Sequence, residues 1–374
     1  MGSIKGGYLG RDDFCHDQCP RLGVLLINLG TPKAASPRAL RRYLAEFLND
    51  PRVIEMRPLW RRALVHGVVL RVRPRRSARA YRAVWTPAGS PLLVHSRALE
   101  QGLRKALTVR LEGPVSVALG MCYGEPRIDT ALRLLSDAGA ERIVALPLYP
   151  QYSGSSTGAA FDAVAGAIGK MRRVPGLRFV DHYHDHPRYI AALAQSVRHH
   201  WDKHGTTERL LFSFHGTPRA SLLAGDPYYC QCQATARLVA ESLVLPRAAW
   251  AIAFQSRFGR TRWLEPATDT TLVAWGNSGV KSVSTICPGF AVDCLETLEE
   301  VAIRYREVFL RAGGVRFDYI PALNSHASHV GLLAELVARE ACGWPEALAS
   351  YSAAAVNRAV RERVRRAKRQ GAEQ

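Results

Sequence analysis

The phrase "LLFSFHGTP" at residues 210–218 nearly repeats "VLLINLGTP" at residues 24–32. Each is an apolar run of strand length that stops at a Gly-Thr-Pro turn. Nearly continuous apolar character, rather than alternation, is what a strand covered on both faces requires, and such strands belong to parallel sheets. A chain that opens two halves with the same strand is constrained towards two similar α/β units.

The remaining runs sort around those two phrases. The first set occupies 23–30, 115–121, 142–150 and 178–183; the second occupies 209–215, 249–256, 281–289 and 316–322. Helical-period segments such as 97–107, 129–140 and 232–243 lie between them. Four strands followed by four more predict two similar doubly wound domains, each a mainly four-stranded parallel sheet flanked by helices. A length of 374 residues suits that division. We expect an N-terminal extension over 1–20 and a first domain over 21–190. A second domain over 191–345 carries His215 and Glu296, and a basic C-terminal helix covers 346–374. The segment "HDHPRYIAALAQSVRHHWDKHG" at 184–205 reads as the connecting helix.

In such folds ligands sit beyond the carboxyl ends of the strands. The two copies differ at that point: Leu29 stands where the second copy has His215. A strand-end histidine in a cleft can bind a divalent metal or move protons. Further along, "ICPGFAVDCLETLEEVAIRYREVF" (286–309) places Asp293, Glu296 and Glu300 at helical spacing behind the third strand of the same set. The loop "YPQYSGSSTG" (149–158) is rich in hydroxyls and glycine, but no P-loop lysine accompanies it and G-x-G-x-x-G is absent from the chain. It suits a planar, partly polar ligand better than a phosphate.

The net charge of +19 comes mostly from arginine. It fits an anionic membrane surface or a carboxylate-bearing substrate. No helix-turn-helix, zinc-finger or RNA-binding signature accompanies it, so nucleic acid is not expected as a partner. No run approaches the roughly 18 apolar residues of a membrane span, and the first twenty residues lack the pattern of a secretory signal. We therefore expect a cytoplasmic protein whose eight cysteines are thiols or ligands rather than a disulfide framework. The segment at 58–82 mixes apolar residues with arginine and reads as a surface helix or a membrane-touching lip. In "DHYHDHPRYI" (181–190), His182, His184 and His186 with Asp181 and Asp185 look like a metal site. His186-Pro187 nevertheless opens a helix, with Asp185 near its cap, so the segment reads as structural.

Several long motifs, in order, carry a resemblance: "INLGTP", "YRAVWTPAGSPL", "LPLYPQYSGSSTG", "LFSFHGTP", "GDPYYCQC", "FQSRFGRTRWLEPATD" and "VDCLETLEE". From about residue 21 to about residue 330 the chain resembles ferrochelatase, the class I chelatase that inserts ferrous iron into porphyrin. The resemblance implies that His215 and Glu296 bind the metal and handle pyrrole protons. It implies that Asn28, Leu29, Tyr123, Tyr149, Tyr152, Ser153 and Trp263 line the porphyrin cleft. Protoporphyrin IX and Fe²⁺ would be substrates, with no permanently bound cofactor. Bending the macrocycle with remote binding energy would lower the barrier. The resemblance also favours the lip reading of 58–82, with peripheral membrane contact, and a monomer or weak dimer. It leaves the histidine-rich segment at 181–190 away from the cleft.

The chain departs from the animal members of that family at four places. Cys294 stands where they have histidine and Cys122 where they have arginine. The tail "SYSAAAVNRAVRERVRRAKRQGAEQ" has no cysteine and Gly154 replaces an upstream ligand, so their [2Fe–2S] cluster is not expected. Cys15, Cys19, Cys230 and Cys232 match no iron–sulfur spacing. Rival readings are a coproporphyrin ferrochelatase, a cobalt chelatase on the same fold, and a tetrapyrrole carrier without turnover.

Overall fold

A computed structural model describes residues 7–10, 15–259 and 261–372. Part of the 1–20 extension thus lies outside the described residues. Among the described residues, eight strands form two four-stranded parallel sheets. The first contains β1 (Arg21–Thr31), β2 (Val115–Gly124), β3 (Ala140–Pro147) and β4 (Gly176–Phe179), in the order β2-β1-β3-β4. The second contains β5 (Arg209–His215), β6 (Trp250–Gln255), β7 (Ser282–Ile286) and β8 (Arg316–Ile320), in the order β6-β5-β7-β8. The two orders are the same, with the repeated phrase as the inner strand each time. β4 is shorter than the apolar run at 178–183 predicts. Val180 and Tyr183 are still buried, but as part of the loop that follows the strand.

Side-chain alternation divides each sheet between two cores. Val24 and Leu26 of β1 face one layer, while Leu25 and Ile27 face the helices Ile128–Asp137 and Ala159–Ile168. The glycine after each repeated strand permits a close approach. A Cβ on Gly30 would lie 1.7 Å from the Tyr123 carbonyl oxygen of β2, and one on Gly216 would lie 2.8 Å from the Gln255 carbonyl oxygen of β6. Each glycine thus lies against a backbone carbonyl of the neighbouring strand, so the repeat extends to this packing constraint.

The halves share one core. The helix Pro187–His204 follows β4 but packs against β8 and the helix Tyr228–Ser242. The helix Ala327–Glu340 follows β8 but packs against β3 and the helix Pro91–Arg110. One continuous cluster therefore joins Leu99, Leu103 and Leu107 to Leu332, Leu336 and Val337, and also includes Phe212 and Phe214 of β5. Beyond Glu340 the chain stays on the first half: buried Glu346 accepts a 2.8 Å bond from Arg142 of β3. This exchange of helices fixes how the two sheets face each other.

His329, fully buried on the exchanged helix, donates from Nδ1 to the Asn324 carbonyl at 2.7 Å, and its Nε2 has no partner. Burial lowers its pKa to about 4 from 6.5, the Asn324 bond offsetting only part of that effect. The folded state therefore binds this proton less readily than the unfolded chain. The resulting stability, about 3 kcal/mol, is fully present above pH 6.5 and lost as the pH falls to about 4. Denaturant titrations across that range should show stability falling on acidification, with a shallower fall in His329→Leu. An equally steep fall in the variant would show that this histidine does not set the acid limit.

Candidate active site

His215 is the last residue of β5, at the point where the connections turn from β6 on one side to β7 on the other. Its Nδ1 lies 2.7 Å from the Gly216 carbonyl oxygen. A carbonyl only accepts, so Nδ1 carries the hydrogen, and in the neutral ring Nε2 keeps the lone pair. Phe290, from the loop after β7, covers the imidazole with ring centroids 6.5 Å apart.

Glu296 begins a ten-residue π-helical segment, Glu296–Tyr305. Hydrogen bonding divides the three-acid stripe read from sequence, because the other two acids are used structurally. Asp293, ahead of the helix, accepts bonds from Tyr319 Oη at 2.5 Å, Thr297 Oγ1 at 2.9 Å and Asn324 Nδ2 at 2.7 Å. Glu300 accepts from Ser256 N at 3.1 Å, Tyr305 Oη at 2.8 Å and the Ser256 hydroxyl. Glu296 keeps a partly exposed carboxylate beside the Cys294 thiol. Its charge also reaches the buried phenols of Tyr43 and Tyr81, whose pKa values rise mainly through burial.

A buried glutamine links the two candidates. Gln255 is the β6 partner of His215 in register, and its carbonyl accepts from Gly216 N at 2.8 Å. Its side chain accepts from Ser213 Oγ at 2.7 Å and donates from Nε2 to the Glu296 carbonyl at 3.4 Å. One side chain thus ties the end of the histidine strand to the start of the acid's helix. Residue 255 lies inside the motif "FQSRFGRTRWLEPATD", but its role depends on strand register and leaves no local signal.

The other expected residues divide by exposure. Leu29, Tyr152 and Trp263 keep accessible surface. Leu29 and Leu295 both pack on the cluster of Tyr43, Tyr81 and Tyr123, so the apolar strand end of the first half and the residue preceding Glu296 share one apolar cluster. Trp263 lies against Gly216 and Phe258, donating from Nε1 to the Phe258 carbonyl at 2.9 Å. The Arg73 guanidinium stands 4.8 Å from the Phe258 ring centre and feels the Glu296 charge. Its place between the halves is not legible in sequence.

Asn28, Tyr123 and Ser153 are buried, with their polar groups paired inside the fold. Asn28 bonds Ser96 at 3.1 Å and its own neighbour Leu29 N at 2.8 Å. The Tyr123 hydroxyl donates to Asp50 at 2.7 Å. Ser153 donates to Asp226 at 3.1 Å, and the Gly154 amide donates to the same carboxylate at 2.8 Å. The hydroxyl loop therefore already holds an anion supplied by the chain itself. Gln151 and the Tyr152 amide complete the contact, bonding Thr235 at 3.0 Å and Gln231 at 2.6 Å on the helix Tyr228–Ser242. Tyr149 is half-buried, with its hydroxyl beside the Cys122 thiol. Burial pushes that thiol up to about 12 and raises Cys294 as well, so neither cysteine replaces a charged group at neutral pH.

A sequence model of the ferrochelatase family matches residues 21–341. A ferrochelatase of Thioalkalivibrio sulfidiphilus is 53% identical over 92% of this chain and 94% of its own length. One of Nitrosococcus oceani is 50% identical over 98% of this chain and 100% of its own. Among solved structures, SirB from Bacillus subtilis with Fe³⁺ aligns at 13% identity and a TM-score of 0.47, covering 86% of this chain and 96% of that one. That likeness is too distant to add to the assignment. The match over residues 21–341 and near-complete coverage at half identity leave one conclusion: the chain belongs to the ferrochelatase family.

Proposed function

We propose that this chain inserts Fe²⁺ into protoporphyrin IX, releasing two protons and forming protohaem, and that His215 and Glu296 carry the step. The observation that supports it most is the orientation of His215. With Nδ1–H committed to the Gly216 carbonyl, a neutral ring offers Nε2 to a pyrrole proton or to the incoming metal. Glu296 adds an anionic oxygen from the other side of the Gln255 link. One dication enters as two protons leave, so the macrocycle's charge is unchanged, and the site must exchange protons for metal without a resident cation. A carrier that only stored the ring would need neither the fixed imidazole nor the carboxylate.

Fe²⁺ is a substrate of this reaction and not a resident cofactor. The reading needs no iron–sulfur cluster, and the C-terminal helix Ala353–Arg369 contains no cysteine. We place the protein's work at a membrane surface. The bent helical segment from Pro58 to Val84 presents Leu59, Trp60, Val68 and Val72, all exposed, among exposed Arg57, Arg62, Arg71 and Arg75. No helix among the described residues is long and apolar enough to cross a membrane, so this contact is peripheral.

Two expected outcomes follow from the reading. Loss of porphyrin fluorescence on adding Fe²⁺ measures metalation of protoporphyrin, with coproporphyrin as the comparison. His215→Ala should lower the rate by about 100-fold or more while protoporphyrin still binds. Retained turnover in that variant contradicts the catalytic assignment, and faster metalation of coproporphyrin overturns the substrate. In sedimentation with anionic vesicles, Leu59→Glu together with Trp60→Glu should weaken binding by about tenfold or more. Equal binding by the double variant contradicts the membrane surface.

A further inference from the structure

The histidine-rich loop between β4 and the helix Pro187–His204 has no part in the reaction described above. We propose that His182, His184 and Asp185 form a binding site for a divalent transition-metal ion, separate from His215 and Glu296. Each offers one ligand atom, and those three atoms lie within 4.8 Å of one another. No other such group of three occurs among the described residues.

Sequence alone reads this loop as a helix start. The structure separates that role from the others. His186 itself caps the helix, its Nδ1 accepting from Arg188 N at 3.3 Å, and Asp185 is not the cap. Its Nε2 faces Glu335 at 3.6 Å. Capping thus consumes one of the three histidines and leaves His182, His184 and Asp185 unexplained.

Their arrangement is that of a ligand set. The His184 side chain is largely buried, yet its Nδ1 has no hydrogen-bond partner, and Asp185 Oδ1 stands 3.9 Å away, beyond bonding reach. A buried ring nitrogen without a partner is costly unless something coordinates it. His182 Nδ1 lies 3.0 Å from Asp181 Oδ1. A carboxylate behind an imidazole orients the ring and raises its basicity, as it does for many metal-bound histidines. The two imidazoles lie with ring centroids 5.1 Å apart.

The surroundings favour a cation. His182 and Asp185 border a surface depression of about 280 Å³, open enough for water to complete the coordination sphere. Asp181 and Asp185 supply two negative charges there. The opposing cation, Arg339, lies 3.4 Å from Glu340. Two nitrogens with one carboxylate suit zinc, iron or cobalt rather than calcium or magnesium, which prefer all-oxygen sites.

The loop is also joined to the candidate active site. The Tyr183 amide donates to the Pro150 carbonyl at 2.9 Å. Thr235 donates to the His184 carbonyl at 2.8 Å and receives Gln151 at 3.0 Å. An ion here would therefore clasp the loop that backs Gln151–Ser153, stabilising the crossing between the halves rather than taking part in chemistry.

Calorimetric titration of Zn²⁺ into metal-free, full-length His215→Ala protein tests this, since that background removes a proposed cleft ligand. One Zn²⁺ should bind per chain and raise the melting temperature. Adding His182→Ala or Asp185→Asn, both at exposed side chains, should weaken binding by about tenfold or more and abolish the thermal shift. In chains that retain His215, His182→Ala should leave iron insertion within about twofold of the unaltered protein. No zinc uptake, or an unchanged isotherm in both loop variants, would overturn the site. Neither result bears on whether His215 is catalytic.

Discussion

A single 2.7 Å hydrogen bond, from His215 Nδ1 to the carbonyl of the next residue, decides what the second sheet presents at its edge. Reversing the tautomer would turn a basic nitrogen into a donor, and the imidazole would no longer suit either a proton or a metal ion. The bond exists because Gly216 follows the histidine. Its lack of a side chain lets the backbone approach Gln255 and Trp263 closely enough to turn sharply. The same requirement operates in the first sheet, where Gly30 lies against Tyr123. The repeated Gly-Thr-Pro phrase is therefore a backbone constraint on which two different preceding side chains, Leu29 and His215, have been mounted.

Around that bond the structure builds support from the opposite half. Gln255 couples the histidine strand to the acid's helix, and Asp226 couples the hydroxyl loop of the first half to the second. The crossed helices Pro187–His204 and Ala327–Glu340 place one core beneath both sheets. A neutral, partly buried environment surrounds the reactive groups. Tyrosines stay protonated, the neighbouring thiols stay protonated, and charged residues such as Asp293 and Glu300 are fully engaged elsewhere. Glu296 is thereby distinguished from the acids beside it by what it lacks, namely a structural duty.

Local pattern made the fold legible and long-range pairing hid much of the site. Continuous apolar runs identify the inner strands, because burial on both faces leaves that signature in the residues themselves, while the edge strands Gly176–Phe179 and Arg316–Ile320 carry it weakly. His215 is visible as an interruption of such a run. Glu296 is harder: at helical spacing it is one of three equivalent acids, and only the tertiary bonds that engage Asp293 and Glu300 set it apart. The resemblance of "VDCLETLEE" singles it out, whereas periodicity does not. Gln255, Asp226 and Arg73 act through partners distant in sequence, so no window around them reveals their roles. Asn28, Tyr123 and Ser153 are marked by their motifs, but the partners that hold them, Ser96, Asp50 and Asp226, come from distant segments. The exchange of helices between halves is likewise a matter of packing and leaves no mark on either helix.

The tautomer of His215 is the claim on which the chemistry rests, and nitrogen-15 NMR of the imidazole reads it directly. Spectra of the full-length protein, with the resonance assigned by its loss in His215→Gln, should be taken where the ring is neutral. A hydrogen on Nδ1 with an unprotonated Nε2 is the expected result. A ring protonated on Nε2 instead would leave no lone pair on that nitrogen for iron or a pyrrole proton and would contradict the account.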